Sequence, residues 1–142
     1  GSDSGSSAPR EEREGESQGS IMIVVATDAP LSERNLERVA RRAIMGLSRT
    51  GSYASNGSGD YVIGFSTAPE VRRQPDGPVR SVRDLANNNI SAIFQATVEA
   101  TEEAIYNSML KAVTVSSRWG TREALPIDAT LDVLRRHGVV RR

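Results

Sequence analysis

Apolar residues in this chain follow two periods, one suited to strands and one to helices, and polar stretches separate them. Residues 1–19 (GSDSGSSAPREEREGESQG) carry no aliphatic side chain larger than Ala8 and no aromatic ring. So little apolar surface does not offset the entropy of ordering, and the segment reads as a flexible tail or linker. The pattern changes at Ser20. Ile21-Met22-Ile23-Val24-Val25-Ala26 is a continuous run rich in β-branched residues, which predicts a strand buried on both faces. Asp28-Ala29-Pro30 ends it. Ser32 is placed to cap a helix in which Leu36, Val39, Ala40, Ala43, Ile44 and Leu47 share one face. Arg34, Glu37, Arg38, Arg41 and Arg42 fall on the other, as a solvated face, and Gly51 stops the helix.

Asn56-Gly57-Ser58-Gly59 has strong turn chemistry, and Tyr61 to Thr67 reads as a second strand. Three prolines and one glycine make 69–80 a loop. Ile90, Phe94, Val98, Thr101, Ile105 and Met109 recur at spacings of three and four, predicting a long helix from about Asp84 to Lys111. Val113-Thr114-Val115 suggests a short strand and Arg118-Trp119-Gly120 a turn, with Trp119 used for packing. Pro126 opens a last helix, Ile127 to His137, closed by Gly138. His137 there is a favourable charge near a helix end.

At 142 residues the chain is one domain's worth of sequence. Eighteen basic residues balance eighteen acidic ones, so no global field draws nucleic acid or anionic lipid, and neither is expected as a partner. The charge is uneven: the first 19 residues are net acidic and the remainder net basic. The lack of cysteine excludes disulfides and thiolate metal sites. The polar start has no apolar signal region, and the longest apolar run is far too short to span a bilayer. A soluble protein is expected, in cytoplasm or periplasm, the former favoured.

The order strand, helix, strand from 20 to 67 suggests a βαβ crossover. A helix of roughly 18 residues is about 27 Å long, enough to return along a seven-residue strand. If the strands are parallel neighbours about 4.8 Å apart, their N-terminal ends share one edge. Ser20 begins the first; Ser58 and Asp60 lead into the second. A serine hydroxyl needs a base to become a good nucleophile, and the one histidine, His137, lies at the far end of the chain. An α-amine, with an ordinary pKa of about 7.7–8, fills that role if Ser20 is itself an N-terminus. Gly19 leaves the preceding carbonyl sterically open. Taken singly, a Gly-Ser before a strand is most often a turn, and Asn-Gly-Ser-Gly-Asp a surface loop.

Taken together, Gly19 to Leu31 resembles the start of the β chain in the L-aminopeptidase/D-esterase family, also called β-aminopeptidases. The likeness continues through Ala40-Arg41-Arg42-Ala43, Arg49-Thr50-Gly51-Ser52, Asn56-Gly57-Ser58-Gly59-Asp60, Phe65-Ser66-Thr67 and Glu99 to Ser108. It covers residues 19 to about 120. The resemblance implies an αββα sandwich, an α/β layered fold similar to N-terminal-nucleophile hydrolases but with different connectivity, shared with ornithine acetyltransferases. It implies a precursor that cuts itself before the nucleophile, here between Gly19 and Ser20. Residues 1–19 would then end the α chain, and 20–142 would be the β-chain part of the catalytic domain.

The same resemblance implies removal of N-terminal residues, β-amino acids or small L-residues, from short peptides, amides and esters. No metal or organic cofactor is implied. The partners implied are the α chain of the same precursor and further αβ units in a homo-oligomer. Ser58 corresponds to the family's second serine and Asp60 to its acidic residue, which is glutamate in some members. Ser58 is expected to hydrogen-bond the Ser20 hydroxyl or amine and relay protons. Asp60 is expected to hold Ser58 and attract the substrate's ammonium group. Oxyanion donors are expected on the α chain. The alternatives are a related amidase, such as a pantetheine-type hydrolase, and a non-catalytic family member.

Overall fold

The computed structural model describes residues 19–72, 77–79 and 81–140. The tail expected over residues 1–19, apart from Gly19, lies outside the described residues, as does part of the 69–80 loop.

β1 (Met22–Thr27) and β2 (Tyr61–Ser66) form a parallel two-stranded sheet, joined by helix α1 (Glu33–Arg49) in the expected crossover. Alternation along both strands divides their side chains. Ile21, Ile23, Val25 and Val62 face the helices and enclose a core with Ala43, Leu47 and Ile105. Met22, Val24, Tyr61, Ile63 and Phe65 point the other way and are exposed, Met22 by 63% and Val24 by 61%. The expectation of a strand buried on both faces is corrected here. Among the described residues, helices cover only one face of the sheet.

α1 begins as predicted. The Ser32 hydroxyl accepts the Asn35 N–H at 3.4 Å, which satisfies one donor orphaned at the helix start. Asp84, however, does not open the second helix. Its carboxylate accepts the Ser32 N–H at 2.8 Å, the Ser32 hydroxyl at 2.7 Å and the Asn35 side-chain amide at 2.9 and 3.0 Å. The Leu85 N–H donates to the Pro30 carbonyl at 2.9 Å. Residues 84–89 are thus tied to the start of α1, and a short 3-10 turn at Asn87–Asn89 leads into α2 (Ser91–Leu110). Ile90, 1% exposed, is buried with Leu31 and Val39.

α1 and α2 cross closely at Gly46. A β-carbon there would lie 2.6 Å from the Val98 carbonyl oxygen and 2.7 Å from Thr101 Cβ, so only glycine admits this approach. The polar face of α1 is not wholly solvated. The guanidiniums of Arg38 and Arg42 lie 5.0 and 3.8 Å from the Phe94 ring centroid, where an aromatic face attracts a cation.

β3 (Val115–Ser117) and β4 (Gly120–Arg122) form an antiparallel hairpin, where a strand at Val113–Val115 and a turn were expected. Ser116 and Thr121 hydroxyls meet across it at 2.9 Å. The pairing is mostly polar, which is why hydrophobic spacing did not reveal β4. Trp119 is 82% exposed rather than packed, with Arg118 over its ring at 4.7 Å. Helix α3 (Ile127–Arg136) ends at His137, and Gly138 takes a φ of 70° beyond it.

Candidate active site

Parallel pairing runs in register from Met22 opposite Tyr61 to Thr27 opposite Ser66. Its outermost rung is the Tyr61 N–H donating to the Ile21 carbonyl at 3.0 Å. Both strand starts therefore lie at one edge, as the crossover argument required. Beyond the last rung the two segments stay joined by other groups. The Ile21 N–H donates to Asp60 Oδ1 at 3.1 Å. The Gly59 N–H donates to Ser20 Oγ at 3.0 Å. The Ser58 hydroxyl donates to the Gly19 carbonyl at 3.0 Å. Three consecutive residues, 60, 59 and 58, thus grip 21, 20 and 19 in turn.

The turn before β2 holds these groups in place. The Ser58 N–H donates to the Ser55 carbonyl at 2.8 Å, closing the Asn56-Gly57 turn. Ser58 Oγ is also 2.9 Å from each Asp60 carboxylate oxygen. A hydroxyl carries one proton, so Ser58 shares it between the Gly19 carbonyl and the Asp60 carboxylate. Asp60 is half-buried and takes an N–H from the backbone as well, which fixes its position.

The structure brings Gly19, Ser20, Ser58 and Asp60 together, although they are 38 or more positions apart across the crossover except within each pair. They line a depression of about 240 Å³ with Tyr53 and Leu47. The Ser58 hydroxyl meets the Gly19 carbonyl rather than the Ser20 hydroxyl, the partner that was expected. Gly59 is the residue that sequence reasoning passed over. Its backbone donor leaves no mark on residue type, and only its place between Ser58 and Asp60 pointed to it. His137 lies at the end of α3 and lines no part of the depression. Among the described residues no cluster of three or more His, Asp or Glu is arranged to hold a metal ion.

Residues 1–123 match peptidase family S58. The chain is 44% identical over 109 residues to the β-peptidyl aminopeptidase BapA of Sphingosinicella microcystinivorans, covering 76% of this chain and 28% of that protein. Its structure superposes on the PH0078 protein of Pyrococcus horikoshii OT3 with a TM-score of 0.76 at 49% identity, over 84% of this chain and 34% of that one. The L-aminopeptidase D-Ala-esterase/amidase of Ochrobactrum anthropi gives 0.75 at 34% identity, over 89% and 37%. That enzyme is described as a prototype for the serine aminopeptidases and a variant of the Ntn hydrolase fold. The mixed, layered fold class expected from the sequence is the class of these neighbours. The chain spans about a quarter to a third of the length of the proteins it matches.

Proposed function

Because the chain belongs to peptidase family S58, we propose that it carries the nucleophile of a self-processing aminopeptidase, with Ser20 freed as an N-terminus by cleavage after Gly19. The observation that carries this is the grip of Ser58, Gly59 and Asp60 on Gly19, Ser20 and Ile21. A turn that served only to reverse the chain has no need to hold both the carbonyl and the hydroxyl flanking one peptide bond.

In the first stage Ser20 Oγ attacks the Gly19 carbonyl carbon. A C–O bond forms, the Gly19–Ser20 C–N bond breaks, and the hydroxyl proton ends on the nitrogen, which becomes the Ser20 amine. Water then hydrolyses the ester, leaving a carboxylate on Gly19 and restoring the hydroxyl. Negative charge that gathers on the Gly19 oxygen during attack is met by the Ser58 hydroxyl at 3.0 Å, the kind of fixed donor that stabilises an oxyanion.

In the second stage the free amine takes the Ser20 hydroxyl proton while Oγ attacks the first carbonyl of a substrate. The proton passes to the departing amine, and water releases the acyl group from Ser20. Asp60 supplies a negative charge beside the site for the substrate's ammonium group. β-Peptides and small aminoacyl amides or esters are the proposed substrates, in line with the activities by which the relatives are named. The remainder of the precursor is the proposed partner in the pocket.

Mass spectrometry of the purified full-length protein tests the first stage. The expected species is a fragment whose N-terminus is Ser20, absent from S20A. An S20A protein that still cuts at this bond removes Ser20 from the role.

A further inference from the structure

We propose that Gly59 is a positioning residue for the nucleophile: its N–H holds Ser20 Oγ, and its missing side chain leaves the hydroxyl its room. This rests on the assignment of Ser20 as nucleophile.

Glycine is not required at position 59 by the backbone. The glycines with positive φ among the described residues are Gly51, Gly77, Gly120 and Gly138. Gly59 lies outside that region, so an L-residue fits its conformation. What a side chain meets is Ser20. A β-carbon on Gly59 would stand 3.3 Å from Ser20 Oγ, 3.8 Å from the Tyr61 ring and 4.0 Å from Ser20 Cβ. The tightest of these contacts falls on the atom that reacts. By contrast, β-carbons on the nearby Gly57 and Gly19 would meet nothing within 4 Å.

The second half of the case is the hydrogen bond. The Gly59 N–H reaches Ser20 Oγ at 3.0 Å, which fixes the side-chain rotamer and leaves another lone pair of Oγ to attack. As Oγ gives up its proton the same bond strengthens, because donors bind charged oxygens more tightly than neutral ones. Its neighbour Ser58 holds the Gly19 carbonyl at the same time. Two adjacent residues therefore set the approach of nucleophile to electrophile, a step sensitive to displacements of an ångström or less. A methyl group at position 59 obliges Ser20 Oγ to give by a few tenths of an ångström against its donor, which alters that approach. The same hydroxyl serves every later turnover, so the effect carries into hydrolysis.

The test compares full-length G59A, G57A, S20A and the S20A/G59A double variant. G59A is expected to cut itself about 10- to 100-fold more slowly than wild type, with kcat of the cut fraction reduced and KM little changed; G57A is expected to cut normally. Thermal melting closes the cycle. G59A should be destabilising beside Ser20 but nearly neutral in the S20A background, where the hydroxyl is gone. Should G59A fail to fold, folding of S20A/G59A as well as S20A still locates the clash at Oγ. Normal cutting and turnover by G59A, or equal destabilisation in both backgrounds, overturns the role of Gly59 and leaves Ser20 as nucleophile intact. Self-cleavage by S20A overturns the assignment beneath it instead.

Discussion

The Ser58 hydroxyl donates to the Gly19 carbonyl at 3.0 Å, while its oxygen lies 2.9 Å from both oxygens of Asp60. One hydroxyl thus links a carboxylate to the carbonyl at the proposed cleavage site. S58A removes this donor and leaves Gly59 and Asp60 bound to Ser20 and Ile21. Self-cleavage is expected to slow by about 10²–10³-fold, the usual effect of losing one oxyanion donor. The uncut fraction followed on a denaturing gel reads this directly; an unchanged rate assigns the stabilising donor elsewhere.

Asp60 accepts the Ile21 N–H at 3.1 Å and the Ser58 hydroxyl at 2.9 Å, and separately places charge beside Ser20. D60N keeps an acceptor for the backbone and loses the charge. Its melting temperature should stay near wild type, while KM for an aminoacyl amide rises about tenfold, a change of about 1.4 kcal/mol. D60A loses the charge and both hydrogen bonds, and should also lose about 1–2 kcal/mol of stability, since a half-buried N–H is left unpaired. Equal KM values for wild type and D60N dismiss the ammonium contact.

Stability should depend on pH through Asp84. Burial, the largest influence on its carboxyl, pushes the pKa up. Hydrogen bonds from the Ser32 N–H, the Asn35 amide, the Ser32 hydroxyl and the Leu85 N–H outweigh it together, and the net pKa lies below the ordinary 3.8. A carboxyl lowered in the folded state stabilises the fold above its unfolded pKa and loses that effect as pH falls through the folded value. D84A is therefore expected to cost on the order of 1 kcal/mol at neutral pH, as for loss of a helix cap. The cost should shrink below about pH 3.8. Urea midpoints at neutral and acid pH check this, and a cost that grows on acidification contradicts it.

G46A tests the crossing of α1 and α2. Alanine improves helix propensity by about 1 kcal/mol, yet its methyl would lie 2.6 Å from the Val98 carbonyl oxygen. A net loss of about 1–3 kcal/mol is expected, typical of an overfilled core. Denaturant unfolding measures it, and a gain in stability would mean that the helices separate at no cost.

How far the sequence revealed these features depends on whether the force involved leaves a periodic trace. β1, α1, β2 and α3 are driven by apolar spacing or caps, and were legible to within a residue or two. The strand starts followed from crossover geometry, and with them the meeting of Ser20, Ser58 and Asp60. The beginning of α2 was misplaced because Asp84 answers donors 49 and 52 positions away, which no local window contains. β4 escaped notice because its pairing is through hydroxyls and backbone. The Phe94 ring under Arg42 turned part of a supposed solvent face inward, and an isolated arginine carries no sign of its stacking partner. Gly59 acts through a backbone donor and an absent atom, so residue type alone conceals it.

The register of β1 against β2 has a last consequence. Sliding β2 by one residue exchanges its inward and outward side chains, which the core rejects. Sliding it by two restores the faces but carries position 58 about 6.6 Å along the edge, out of reach of Gly19. The proposed chemistry at the rim is thereby proofread by oily side chains in the interior: only a chain that has seated Ile23 beside Val62 correctly holds Ser58 against the Gly19 carbonyl.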